Sequence, residues 1–162
     1  MVAIRRADAA DFGEIWPILK EVFARGDTYS FSPDTSEEEG FRIWMELPLA
    51  TYVAVADGRV AGTYFLKPNQ PGLGAHVGNA GYAVGSAFRG RGIGKAMCMH
   101  SLEEARALGF KALQFNFVVA TNTVAVALWQ KCGFTVAGRL PKAFAHKERG
   151  LVDAYVMYQW LG

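Results

Sequence analysis

Arg89-Gly90-Arg91-Gly92-Ile93-Gly94-Lys95 is the stretch on which the reading of this chain turns. It joins an extended segment, 75–84, to an apolar helical pattern over 93–108 that stops at Gly109. Glycines let a chain turn with several backbone N–H groups aimed into one cavity. The helix that follows adds the positive end of its dipole, and Arg and Lys add full charge. Such a loop holds phosphate. Two familiar phosphate loops fail on spacing. A Walker loop needs glycine where Arg89 stands and Ser or Thr where Ala96 stands. A dinucleotide fingerprint needs its third glycine where Lys95 or Met97 stands. A glycine-rich turn with no ligand is the remaining local alternative.

Working outward, residues 2–5 read as a short strand. Asp8-Ala9-Ala10-Asp11 opens a helix whose buried face is Phe12, Ile15, Trp16, Leu19, Val22 and Phe23, with Pro17 expected to kink it or restart it. Ser36-x-x-Glu39 is a capping-box pattern for a second helix, with Phe41, Trp44, Met45 and Leu47 on its apolar face. Residues 51–56 and 60–66 flank Asp57-Gly58, a hairpin signal. Residues 67–74 form a loop. The glycines in 75–84 predict a bulge or a close approach by another backbone. Residues 112–119 form the most apolar strand, 123–131 a helix with Asn122 as N-cap and Gly133 as stop, and 134–139 and 151–161 two last strands. The order β-α-α-β-β-β-α-β-α-β-β predicts an α/β sandwich around one mixed sheet.

Length and composition agree. The chain has 162 residues, 51% hydrophobic and 20% charged, enough for one packed domain over 1–162 and far from a disordered composition. No apolar run is long enough to span a membrane, so no membrane partner is expected. The N-terminus turns acidic at once and shows no leader-length apolar stretch. Two separated cysteines, Cys98 and Cys132, suggest no disulfide framework and a reducing, cytoplasmic setting. His76, His100 and His146 are too scattered for a zinc site, and no metal is expected. Net charge is +2, but residues 1–50 hold 5 Lys/Arg against 10 Asp/Glu and residues 51–162 hold 12 against 5. The basic part suits a polyanionic small ligand. Its basic residues are too dispersed to predict nucleic-acid binding.

Arg89-x-x-Gly92-x-Gly94 resembles the acyl-CoA pyrophosphate loop of the GCN5-related N-acetyltransferase (GNAT) superfamily. Asn122-x-x-Ala125-x-x-Leu128-Trp129-x-x-x-Gly133-Phe134 resembles that family's second CoA-side motif. The element order matches over essentially the whole chain. The resemblance implies an α/β (α+β) sandwich with a mixed, mostly antiparallel seven-stranded sheet, splayed between strands 4 and 5, and about four helices. It implies acetyl-CoA as co-substrate. The backbone of Arg89, Gly90, Arg91, Gly92, Ile93, Gly94 and Lys95 would grip the diphosphate, Val84 would pair with the pantetheine arm, and Asn122 would lie on the CoA side. A free backbone N–H at Tyr82 would meet the acetyl carbonyl. Homodimers occur in the family, and one is a possibility here.

The resemblance also exposes two departures. The strand-4 position where many members carry a catalytic Glu is Asn79, which cannot act as a base. The position where many carry an acidic Tyr is Trp129. Either the chain binds CoA without turnover, or positioning supplies most of the acceleration to an amine that binds partly neutral. His76-x-x-Asn79-Ala80-Gly81, Phe115-Asn116-Phe117-Val118 and Thr121-Asn122 are similar to a branch of the family that N-acetylates proline analogues such as azetidine-2-carboxylate. In that resemblance Asn79 orients the acceptor nitrogen, while Asn116 and the backbone at Phe117 hold its carboxylate. Asn116, inside an apolar strand, is expected to be a buried amide in need of partners. Tyr29, Phe31 and Trp44 fall on acceptor-side segments, with core packing as the alternative for each. Cys98, Cys132, Met97 and Met99 are assigned to packing. His76 and His146 are expected to be structural rather than proton shuttles. The activity expected is N-acetyl transfer to a small amino or imino acid in a ternary complex. The alternatives are another amine (a xenobiotic or a protein N-terminus) and a non-catalytic acyl-CoA-binding module.

Overall fold

Asp57 and Gly58 both adopt positive φ, 53° and 72°, the two-residue turn whose twist suits a hairpin. In the computed structural model, which describes residues 1–162, this turn joins β2 (Ala50–Ala56) to β3 (Arg59–Pro68). Around it stand β1 (Ala3–Arg6), α1 (Phe12–Arg25), α2 (Glu37–Phe41), β4 (Val77–Val84), α3 (Ile93–Ala107), β5 (Ala112–Val119), α4 (Thr123–Lys131), β6 (Thr135–His146) and β7 (Gly150–Trp160). The strands form a seven-stranded sheet in the order β1-β2-β3-β4-β5-β7-β6. Only β4 and β5 run parallel. The expected class, element order and sheet are therefore all present. No helix is long and apolar enough to cross a membrane.

Each face of the sheet carries its own core. On one, Tyr52, Tyr64, Met97, Leu102, Leu113 and Met157 pack with α3; on the other, Ile15, Leu19, Phe23, Trp44 and Val53 pack with α1. Trp44 is fully buried, and its indole donates to Thr63 Oγ1 (2.9 Å), which donates on to the Tyr52 carbonyl (2.8 Å). The polar end of the largest core side chain is thus satisfied, as burial requires.

Several elements depart from their expected form. Asp8 and Asp11 build a capping box over a short 3-10 turn, Ala9–Asp11, and only then does α1 begin. Pro17 neither breaks nor restarts α1. A proline ring crowds the carbonyl four residues back, and that residue is Gly13, with open space where a side chain would stand. At α2 only half of the expected capping box forms. Ser36 Oγ accepts from the Glu39 N–H, but the Glu39 carboxylate turns to Arg42 instead (2.9 and 2.6 Å). The helix then widens into a π turn, Arg42–Glu46, that drives Trp44 inward and leaves Leu47 exposed. The glycines of β4 mark neither a bulge nor a neighbouring backbone but close-packed side chains: a Cβ on Gly78 would lie 2.9 Å from Leu113 Cδ2. β6 runs well past the expected end at residue 139. Its register shifts between Leu140 and Phe144, and Lys142, at φ 54°, is held there by its N–H donating to Asp153 (2.9 Å). Cys98 and Met97 are buried as expected, whereas Met99 is exposed.

Candidate functional site

β4 and β5 pair only from Val77↔Ala112 to Asn79↔Gln114. Beyond that the two strands no longer pair with each other, and rings that they carry pack on one another and on α4. Tyr82 lies 4.8 Å from Trp129 and 5.7 Å from Phe115, and Phe115 lies 5.1 Å from Trp129, between ring centres. On its other edge β5 loses register with β7 between Phe115 and Val118. The result is a cleft of about 600 Å³ walled by β4, β5, α4, the end of β3 and the segment after α1. That volume suits a small-molecule site.

At one end of the cleft lies the glycine loop. Gly90 and Gly92 take positive φ, 74° and 77°, with nothing within 4 Å of where a Cβ would stand. The N–H groups of Gly90, Arg91 and Gly92 have no acceptor within the chain, and α3 opens at Ile93 with the free N–H groups of a helical first turn. Arg91 is drawn aside to Asp57 (2.8 Å), and Arg89 faces Glu21 at 3.9 Å. No side chain plugs the cradle. Unsatisfied amides at a helix N-terminus fit a diphosphate, so the acyl-CoA group implied by the sequence has a matching receptor.

Midway along the cleft the expected free amide is absent. The Tyr82 N–H donates to Tyr29 Oη at 2.6 Å, and the same hydroxyl donates to the Tyr82 carbonyl at 2.8 Å. Since Tyr82 turns both groups away from β3, strand alternation aims the main chain of Val84 the same way. The Tyr29 ring is caged by Phe23, Phe31 and Trp44, with centres 5.9, 5.8 and 6.0 Å away. Burial holds its hydroxyl pKa well above the ordinary phenol value. Trp44 does not line the cleft, so its core alternative holds; Tyr29 and Phe31 do line it.

At the far end Asn79, half-buried, donates from Nδ2 to the Gln114 carbonyl (3.0 Å). Asn116 is exposed, not buried. Its amide lies between Asn69 Oδ1 (2.7 Å) and Gln114 Nε2 (2.9 Å). The apolar run suggested burial throughout, but Leu113 and Phe115 turn into the core, so alternation puts Gln114 and Asn116 on the opposite, open face. Phe117 and Asn122 line the cleft, and Asn122 also caps α4 through the Ala125 N–H (3.3 Å). His146 Nδ1 accepts the N–H groups of Glu148 and Arg149, a turn role.

Two features of the site escaped the sequence. Lys67, paired in register with Asn79, lines the cleft and has no carboxylate partner; the other lining cations, Arg25 and Arg89, both face Glu21. The second is a tie across the splay. The Lys147 N–H donates to the Gly26 carbonyl (3.1 Å) and Lys147 Nζ to the Ala24 carbonyl (3.4 Å). It links α1, which packs on β3 and β4, to the β6–β7 hairpin beyond β5. Neither leaves a local signal: Lys67 reads as the start of a loop, and the tie joins distant segments.

The model of the acetyltransferase (GNAT) family matches residues 14–134. The chain belongs to this family. A GCN5-related N-acetyltransferase from Kribbella flavida has the same architecture, with a TM-score of 0.93 at 44% identity over 99% of this chain and 98% of that one. An N-acetyltransferase of Schizosaccharomyces pombe is 40% identical over 100 residues, covering 61% of this chain and 47% of the yeast protein. This chain therefore spans about half the length of that relative. The L-amino acid N-acetyltransferase of Escherichia coli is 26% identical over 161 residues, 96% of each chain. As a GNAT fold, the molecule puts its glycine loop where strand 4 meets the third helix, and its departures at Asn79 and Trp129 both face the cleft.

Proposed function

We propose that this GNAT protein transfers the acetyl group of acetyl-CoA to the nitrogen of a small amino or imino acid, directly, within a ternary complex. One observation carries the reading. A single cleft runs from Val84 and Arg89, the residue that leads into the open cradle at Gly90–Gly92, to an acceptor end made of neutral amides and Lys67, a cation with no carboxylate partner. An amine bearing a carboxylate matches that end. Asn79 and Asn116 supply polar contacts without charge, and Lys67 supplies the counter-charge. The tie from Gly26 to Lys147 adjoins the lining residues Arg25 and Asp27, and we read it as a limit on the acceptor side that favours a small molecule over a protein N-terminus. The full-length likeness to an L-amino acid N-acetyltransferase supports the same class.

Acetyl-CoA supplies an activated acyl carbon on a thiol whose pKa is about 8.5, a tolerable leaving group. The cradle fixes the diphosphate, and the unpaired edge of β4 near Val84 aligns the pantetheine arm. Asp27, the carboxylate in the cleft wall, is engaged with Arg25 at 3.5 Å, and neither Asn79 nor Trp129 can take or give a proton. The amine is therefore expected to react in its neutral form, which makes the rate rise with pH toward the acceptor's own amine pKa.

The test mixes the protein, acetyl-CoA and a panel of amino acids, proline analogues, amines lacking a carboxylate and a short peptide, and follows released thiol. Turnover confined to carboxylated small amines is the expected result. Turnover on the peptide alone would overturn the acceptor class, and CoA binding by calorimetry with no release across the panel would favour a binding module.

A further inference from the structure

The Tyr82 amide that the fold offers to the acyl carbonyl is already engaged by a side-chain hydroxyl, and the surroundings of that hydroxyl say what it is for. A phenol has one proton to give and two lone pairs to accept with. Tyr29 Oη accepts from the Tyr82 N–H (2.6 Å) and sends its own proton to the Tyr82 carbonyl (2.8 Å). That carbonyl is a neutral acceptor. An oxygen gathering negative charge in the same space is a stronger one, because hydrogen bonds to ionised partners are roughly twice as strong as neutral ones.

The ring itself is not free to leave. Phe23, Phe31 and Trp44 flank it, and a Cβ on Gly81 would stand 3.1 Å from Tyr29 Oη. The hydroxyl fits against strand 4 only because residue 81 has no side chain. The proton can swing by rotation about one C–O bond while the ring and the Tyr82 N–H contact stay in place.

We propose that the Tyr29 hydroxyl, backed by the Tyr82 N–H, is the group that hydrogen-bonds the thioester carbonyl oxygen during transfer. The assignment rests on the acetyl-CoA reading above and makes Tyr29 a catalytic residue rather than a wall of the pocket. The amine lone pair forms the new C–N bond, and the carbonyl π pair moves onto oxygen, where the Tyr29 O–H receives it. That pair then re-forms C=O as the C–S bond breaks. The sulfur leaves with its electron pair, and the proton shed by nitrogen passes to water. Tyr29 donates a hydrogen bond throughout and keeps its proton, in keeping with the burial that raises its pKa. The Tyr82 N–H polarises the hydroxyl from behind, so the two donors act in series.

The test uses acetyl-CoA labelled with ¹³C at the acetyl carbonyl, bound to the intact protein and to Tyr29→Phe. In the unsubstituted protein the carbonyl resonance should move downfield of its position in free solution. In Tyr29→Phe it should fall back most of the way, with kcat reduced roughly a hundredfold and affinity for CoA itself unchanged. A resonance and kcat unaffected by Tyr29→Phe would overturn the assignment, as would tighter binding of acetyl-CoA, the sign of an obstructing hydroxyl removed. Should the phenylalanine variant not fold, 3-fluorotyrosine at position 29, a stronger donor, should move the resonance further downfield; no movement overturns the proposal. Failure of the unsubstituted protein to bind acetyl-CoA would remove the underlying reading as well. Normal binding and turnover with an indifferent Tyr29 would remove this assignment alone.

Discussion

Gly92 combines a φ of 77° with open space where a Cβ would stand. A side chain there meets backbone strain of about 1–2 kcal/mol but no steric wall. Gly92→Glu should therefore give a folded protein whose carboxylate enters the cradle and repels the diphosphate. Loss of CoA binding by calorimetry is expected, with the melting temperature lowered by only about 2–8 °C. Lys67→Met keeps the apolar stem and removes the charge, so KM for a carboxylated acceptor should rise roughly ten- to a hundredfold, with KM for acetyl-CoA unchanged in the same kinetic runs. The glycine loop was legible because its chemistry is written in adjacent residues. The Tyr29 contact was not, since it joins positions 53 apart in the chain. Which main-chain groups of a strand stay free is decided only when other segments arrive. Asn116 was misjudged because the apolar character of the whole strand hid its alternation: Leu113 and Phe115 face the core, which leaves Asn116 on the open face.

Helices and hairpins announced themselves through capping residues, periodicity and the Asp57-Gly58 turn; the irregular elements did not. β6 illustrates the difference. Read from sequence, this strand ends at residue 139, yet it runs on through Pro141 to His146, because on an edge strand a proline sits within a bulge without breaking the ladder. Asp153 fixes that bulge by accepting the Lys142 N–H and pairing with Arg139. Those contacts, the backbone one first, hold the Asp153 carboxyl below its usual pKa. A carboxyl whose folded-state pKa is lowered stabilises the fold above its unfolded-state value, and the effect fades as pH falls through the folded-state one. Amide protection factors at the bulge, exchange rates corrected for their intrinsic pH dependence, should accordingly fall below about pH 4. In Asp153→Asn protection should be lower at neutral pH and flat across the same range.

Across the whole molecule, the acidic first third and the basic remainder meet where Glu21 of α1 faces Arg89 of the glycine loop. The Gly26–Lys147 tie joins the same two parts beyond the end of α1. Gly26 has a φ of 62°, and a Cβ on it would lie 3.3 Å from Lys147 Cβ. Gly26→Val should strain the turn, loosen the tie and open the acceptor end. Rising KM for small acceptors and new turnover on a peptide amine, in the same thiol-release assay, are the expected result. The cradle, by contrast, is made of main chain. Short of proline, no replacement deletes an amide, so this end is expected to tolerate drift in the side chains around it so long as none enters the cradle. The proposed acceptor end is lined by Lys67, Asn79 and Asn116, where each substitution should alter what is received. The fold thereby separates a standing socket from an exchangeable tool, and the same carrier can serve many different amines.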